Sequence, residues 1–266
     1  HFESAQGTPI AILTSYACHP VVLGADNLEW TGDYPHFARE AIEAAFPGVI
    51  ALFATGCAGD VNTGHSAASS LSNAANPNRS FAMAKTIGEG VAKSVLCAEQ
   101  TELFGRLAVA EVYAQLSFQL REVGTGDELA EQWRAAAEGG DPIAHIWASW
   151  AQSTMGQHMD PLSERCTAFS LCGAQIVAMP GEIFAQTALE IRQSLPSQAP
   201  LFVLAYADDN PGYVPHRDAF VEGGYEVDEA HRFYGLGATF APGSAERLAD
   251  AGCKAALMAA GAAKDG

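Results

Sequence analysis

The chain has 266 residues, with 14 Lys and Arg set against 31 Asp and Glu, a formal charge of −17 and a sequence pI near 4.7. Such a surface repels nucleic acid and anionic membrane faces, so neither is expected as a partner, and solubility is the plain reading of the acidity. The chain is 48% hydrophobic and 17% charged, a globular composition, and no run of about eighteen apolar residues occurs that would span a membrane.

Six cysteines, at 18, 57, 97, 166, 172 and 253, form no Cys-x-x-Cys pair, which argues against a zinc ribbon or a thioredoxin-type redox motif. Free buried thiols and disulfides are both open at this density, and the compartment is left open, leaning to secreted or periplasmic. The opening HFESAQGTP lacks a methionine and a basic-then-apolar leader, so the expectation is a processed or trimmed piece.

In chain order, PIAILTSYACHP reads as a strand ending at His19-Pro20. DYPHFAREAIEAAFPG follows with Phe37, Ile42 and Phe46 at helical spacing and Pro47-Gly48 as its stop; Asp33 is expected to cap this helix. VIALFATG is a short, continuously apolar strand of the kind buried on both faces. Strand, helix, strand predicts an α/β unit with a parallel pair. Residues 64–79 read as a small, polar loop, and SFAMAKTIGEGVAKSVLCAEQ as an amphipathic helix. LAVAEVYAQLSFQLREV alternates like sheet strands with one wet face. Residues 127–158, with Trp133, Trp147 and Trp150, read as a helical insertion, either packed or acting as a lid. Then come a strand, turn and helix around MPGEIF, a strand with a polar, aromatic loop through YADDNPGYVPHRDAFVEGGYEV, and an alanine-rich helix over roughly 244–263. Neither a repeat nor a linker-like break appears, so residues 1–266 are expected to form a single α/β domain. Its mixed or mostly parallel sheet is flanked by helices.

Polar residues therefore gather at the carboxyl ends of several strands, where ligands collect in α/β sheets: His19, Asp60 and Asn62, Glu182, and the loop from Asp209 to Tyr213. Histidine and carboxylate donors suit zinc, and three protein ligands with an open position make a catalytic site. No His-Glu-x-x-His or comparable short zinc signature occurs. His65, His158, His216 and His231 have no motif support and are expected on the surface. Simpler roles stand beside the metal reading: His19 as the end of a strand, Glu182 at a helix entrance favoured by the helix dipole, and Tyr213 and Tyr225 as loop and turn aromatics.

Four blocks, ACHPVVLGADN…TGDYP, LFATGCAGDVN, MPGEIF and YADDNPGYVPHRDAFVEGGYE, occur in the order and at roughly the spacing seen in the neutral/alkaline non-lysosomal ceramidases. They span residues 16 to about 227, and they resemble most the bacterial ceramidase-like branch of that family. In the family, two histidines, a glutamate and a tyrosine hold one zinc that activates water for attack on an amide carbonyl. By block matching, the resemblance implies His19, Glu182 and Tyr213 as metal ligands and Tyr225 as the tyrosine that polarises the carbonyl oxygen. Asp60 would hold a histidine ligand in its tautomer. The other family histidine lies in an upstream His-x-His segment that residues 1–15, with only a bare His1, do not match; a preceding segment or a companion chain is expected to supply it. The family serine after Gly-Asp-Val is Asn62 here, which has no hydroxyl but can orient a carbonyl or a water.

The resemblance thus implies a zinc-dependent hydrolase of an amide, ester or lactone bond in a small or lipid-like substrate, and not a true ceramidase. Two alternatives remain: a hydrolase of another bond, such as a glycosidic link, on the same scaffold, and a binding protein that has lost turnover.

Overall fold

The computed structural model describes all residues except 67–68, 70–71, 73, 75, 100, 120–125, 141–142, 155–158, 196–198 and 266. Its strands and helices alternate as the apolar periodicities require. Strand β1 (Phe2–Glu3) leads into β2 (Pro9–Tyr16), α1 (Asp33–Ala45), β3 (Ile50–Thr55) and α2 (Phe81–Leu96). Strand β4 (Ala108–Leu116) precedes the helical pair α3 (Gly126–Glu138) and α4 (Ala144–Thr154). Then follow β5 (Leu162–Leu171), β6 (Ala174–Ala178), the two-residue β7 (Glu182–Ile183), α5 (Ala185–Ser194), β8 (Leu201–Leu204) and β9 (Tyr213–Val214). The short helices α6 (Ala219–Glu222) and α7 (Tyr225–Asp228), a 3-10 turn over Ala230–Tyr234 and the long α8 (Ser244–Asp265) complete the chain.

The fold is α/β with mixed sheets flanked by helices, as the sequence predicts. β2 and β3 pair in parallel, with Ala11 opposite Ile50 through Tyr16 opposite Thr55. A second sheet runs β4-β5-β6-β8, antiparallel except for the parallel β6-β8 pair. The two sheets meet at an antiparallel bridge between Gly56 and Leu204. Helix α8 and Ile191 of α5 cover the second sheet, burying Leu116, Cys166, Val177, Met179 and Leu248 in the main core.

A smaller core of Ile12, Ile42, Ala51 and Ala92 fixes α1 and α2 against one face of β2-β3. The other face is open, and here the expectation fails. β3 was expected to be buried on both faces, yet Ile50 and Leu52 are 58% and 45% exposed. The helices lie on the Ala51 side, and among the described residues nothing covers the side to which Ile50 and Leu52 point.

Three further expectations are corrected. Asp33 is the first residue of α1 rather than its cap, which is Gly32. Its carboxylate accepts the N–H groups of Leu23 at 2.9 Å and Tyr34 at 2.7 Å, so it ties the loop after His19 back onto the helix. His216 is buried and not on the surface, with Nε2 lying 3.0 Å from Glu190 Oε1 and 3.3 Å from Glu246 Oε1, where it joins α5 to α8. His231 is buried edge-on to Trp150, with ring centroids 5.8 Å apart. His65 is half-buried, and His158 lies outside the described residues. All six cysteines are free.

The helical insertion is packed. Trp147 and Trp150 join Ala130 and Ala151 in a small core between α3 and α4. The pair also grips the 3-10 turn: Trp147 meets Phe233 edge-on at 4.7 Å, and Trp150 donates to the Leu236 carbonyl at 3.0 Å. No helix among the described residues is long and apolar enough to cross a membrane.

Burial raises the Cys57 and Cys166 thiols from 9.0 to about 12. A raised folded-state pKa leaves its stabilisation whole below the unfolded value and removes it as pH climbs toward the folded one. Urea midpoints should therefore stay level up to pH 9 and fall between about pH 9 and 12. Cys166→Ala should flatten that fall, and a midpoint unchanged at pH 11 in the parent chain would contradict the burial argument.

Candidate active site

The site is assembled by backbone pairing before any side chain is considered. β7 and β9 form a parallel two-strand ladder in which Glu182 lies opposite Tyr213, so their side chains leave the same face. Glu182 N–H donates to the Gly212 carbonyl at 2.9 Å. Glu182 therefore belongs to a strand and not to the helix entrance, because α5 begins only at Ala185. Its side chain is buried, at 6% exposure.

His19 comes from the end of β2. Its N–H donates to the Val61 carbonyl at 3.0 Å, and the neighbouring Cys18 carbonyl accepts the Tyr34 hydroxyl at 2.6 Å. These two bonds lock the turn after β2 onto the Gly56–Asn62 loop and onto α1. His19 Nε2 then stands 3.4 Å from Glu182 Oε2. It is buried and makes no hydrogen bond.

The loop over Gly56–Asn62 is the floor. Gly59 N–H donates to the Ile183 carbonyl at 2.8 Å. A Cβ at Gly59 would lie 2.6 Å from the Glu182 carbonyl oxygen, a distance that only glycine permits. The Asp60 carboxylate accepts the Ala185 N–H at 2.7 Å, at the first turn of α5. Asp60 does not touch His19; the group against His19 Nδ1 is the Tyr206 hydroxyl at 3.4 Å. Asn62 is exposed, and its Oδ1 accepts the Thr63 N–H at 2.6 Å.

Tyrosines complete the cluster. Tyr213 stands beside Glu182 in the ladder, with its ring centroid 6.2 Å from that of His19. Tyr225 packs edge-on against Tyr213 at 5.9 Å. Two others had escaped the sequence reading. Tyr206 donates to Glu182 Oε2 at 3.4 Å, and Tyr234 donates to Glu182 Oε1. Tyr206 had a signal, since it ends the apolar run LFVLAY at a strand's carboxyl end. Tyr234 had none, because only the fold carries the 3-10 turn to this place.

The electrostatics are those of a buried carboxylate ringed by phenols. Burial first, then the Glu182 charge, push the Tyr206 and Tyr213 phenols well above their usual range. Burial and the carboxylates of Glu182, Glu226 and Glu229 raise Tyr225 to about 12. Glu182 Oε2 lies 3.4 Å from His19 Nε2, and among the described residues no lysine or arginine reaches the carboxylate.

Such a donor set fits a divalent cation. Two ligands on a tetrahedral zinc at bond lengths of about 2.0–2.1 Å stand about 3.3 Å apart, close to the observed His19–Glu182 separation of 3.4 Å. Among the described residues, no three His, Cys, Asp or Glu side chains form a metal-holding group, so a cation bound here would need phenols as further protein donors.

No protein-family model and no curated protein sequence matches the chain. Solved structures do. Neutral ceramidase from Pseudomonas aeruginosa superposes with a TM-score of 0.65 at 16% identity, over 96% of this chain and 45% of that one. A ceramidase complexed with C2 gives 0.64 at 16% identity, over 98% of this chain and 47% of its own. The fold is ceramidase-like. The chain spans slightly less than half the length of either structure, and at this identity the likeness speaks for the architecture alone. Within this ceramidase-like fold, His19, Glu182, Tyr213 and Tyr225 form one cluster, with Asp60 and Asn62 on the adjoining loop.

The close approach at Gly59 yields a direct test. Gly59→Ala should cost about 1–3 kcal/mol, because the methyl displaces the Glu182 backbone. Gly90→Ala, at a solvent-facing position of α2 where the added carbon would meet nothing beyond its own helix, should instead gain about 0.5–1 kcal/mol. Urea denaturation of both variants checks the contrast.

Proposed function

We propose that this chain carries the catalytic centre of a zinc-dependent hydrolase that cleaves an amide bond, with an ester or lactone as the neighbouring possibility. The observation that carries the reading is the buried, unbonded His19 Nε2 facing Glu182 Oε2 at 3.4 Å, with Tyr213 paired beside Glu182. His19, Glu182 and Tyr213 are the residues that would hold the ion, with a further histidine supplied by a preceding segment or a companion chain. Zinc held there would supply an acidified water and a Lewis acid for a carbonyl. Tyr225, protonated at neutral pH, donates its hydroxyl to the substrate carbonyl oxygen as negative charge builds on it. Asn62 has its Oδ1 engaged by Thr63 and offers its amide N–H groups to orient the substrate. Asn62 in place of the family serine supports a substrate smaller than a long-chain ceramide. A binding protein without turnover is the second reading, and it draws on that same position and on the short list of metal-binding side chains.

Elemental analysis tests the metal. The full-length protein should hold one zinc per site and His19→Ala should lose it; equal, negligible zinc in both would end the reading. Tyr225→Phe tests the donor. The variant should keep its zinc and its fold while kcat falls by roughly 10²–10³, the loss typical of one oxyanion donor. Near-normal turnover would remove Tyr225 from the reaction.

A further inference from the structure

We infer that Tyr206 and Tyr234, which no motif singles out, are positioning residues that set the tautomer of His19 and the rotation of the Glu182 carboxylate for metal binding. The inference rests on the proposal that this cluster holds a metal.

An imidazole binds a metal through Nε2 only when that nitrogen is unprotonated, so the neutral ring carries its hydrogen on Nδ1. The Tyr206 oxygen is 3.4 Å from His19 Nδ1 and 3.4 Å from Glu182 Oε2. One donor order satisfies both contacts: His19 Nδ1–H donates to the Tyr206 oxygen, and the Tyr206 hydroxyl donates to Glu182. A carboxylate, backbone carbonyl or water usually receives the outer hydrogen of a metal-binding histidine, and here a phenol takes that place.

The backbone around Tyr206 is built to hold it. Its φ is +57°, in the left-handed region, where a bulky residue is an outlier and persists only when its surroundings fix it. Its N–H donates to the Gly181 carbonyl at 3.0 Å, one residue from Glu182. Two residues on, Asp208, also left-handed at +71°, is clamped by Arg165 at 3.1 and 3.2 Å and by the Thr167 hydroxyl at 2.7 Å.

Tyr234 acts on the other oxygen. Gly212 N–H donates to Asn210 Oδ1 at 3.3 Å, which fixes the turn beneath Tyr234, and Tyr234 donates to Glu182 Oε1. The Tyr234 ring lies over Gly212, where an added Cβ would come within 2.9 Å of it. Each Glu182 oxygen thus receives one phenol hydrogen, and Oε2 is the one left turned toward His19.

The test measures metal affinity and not turnover. Zinc dissociation constants by chelator competition, and visible spectra of the cobalt-loaded protein, are compared for the full-length parent, Tyr206→Phe, Tyr234→Phe, Tyr213→Phe and the exposed control Tyr113→Phe. Tyr206→Phe and Tyr234→Phe should weaken zinc by about 10–100-fold and shift the cobalt bands, as loss of an outer-shell partner does, while Tyr113→Phe matches the parent. Thermal melts of the metal-free variants identify those that fold, and either tyrosine variant alone decides its own residue. A folded variant that binds zinc as tightly as the parent, with unshifted cobalt bands, overturns the inference and leaves the zinc reading standing. A parent that binds no zinc overturns both. If Tyr206→Phe abolishes binding while Tyr213→Phe keeps it, Tyr206 is itself a ligand and the assignment is wrong.

Discussion

One buried carboxylate organises the site. Glu182 sits at 6% exposure on a strand two residues long, and a charge taken out of water must be met by donors or a counter-ion. The chain supplies two phenol hydroxyls, from Tyr206 and Tyr234, where a structural ion pair would have supplied an arginine. Everything around it follows. The parallel ladder gives Glu182 its neighbour Tyr213, the glycine floor lets the loop after β3 close beneath it, and the left-handed loop after β8 brings Tyr206 across to His19.

Much of this was legible in the sequence, for reasons that differ by residue. β2, α1, β3 and α8 announce themselves through periodicity and stop signals, because their order is local. His19 and Glu182 could be singled out because each follows an apolar strand, and strand ends of an α/β sheet converge wherever the chain wanders between them. Tyr213 and Tyr225 came from the resemblance of their block rather than from any pattern of spacing. Where the reading failed, the deciding partner was distant. Asp33 looked like a cap, but its carboxylate is claimed by Leu23, ten residues upstream. His216 looked exposed, but two helices bring Glu190 and Glu246 to it. A continuous apolar run could not report that β3 has helices on one face alone.

The same logic separates Tyr206 from Tyr234. The first ends a strand and could have been noticed, whereas the second depends on an insertion about 80 residues earlier in the chain. Trp150 holds the Leu236 carbonyl and Trp147 holds Phe233, so the α3-α4 pair acts as a clamp on the turn that presents Tyr234. A segment read from the sequence only as a helical insertion thus packs on the turn that presents one donor to the central carboxylate.

That clamp has an optical consequence. Of the four tryptophans, Trp30 is fully exposed on the loop after His19, while Trp147 and Trp150 are buried, and Arg232 lies 5.2 Å over the Trp133 ring. The emission of the protein is therefore split between a red, water-relaxed component from Trp30 and a bluer one from indoles that touch the segment carrying Tyr234. Any rearrangement of that segment changes the blue component and leaves the red one as an internal reference, so the chain carries its own fluorescent gauge of the site.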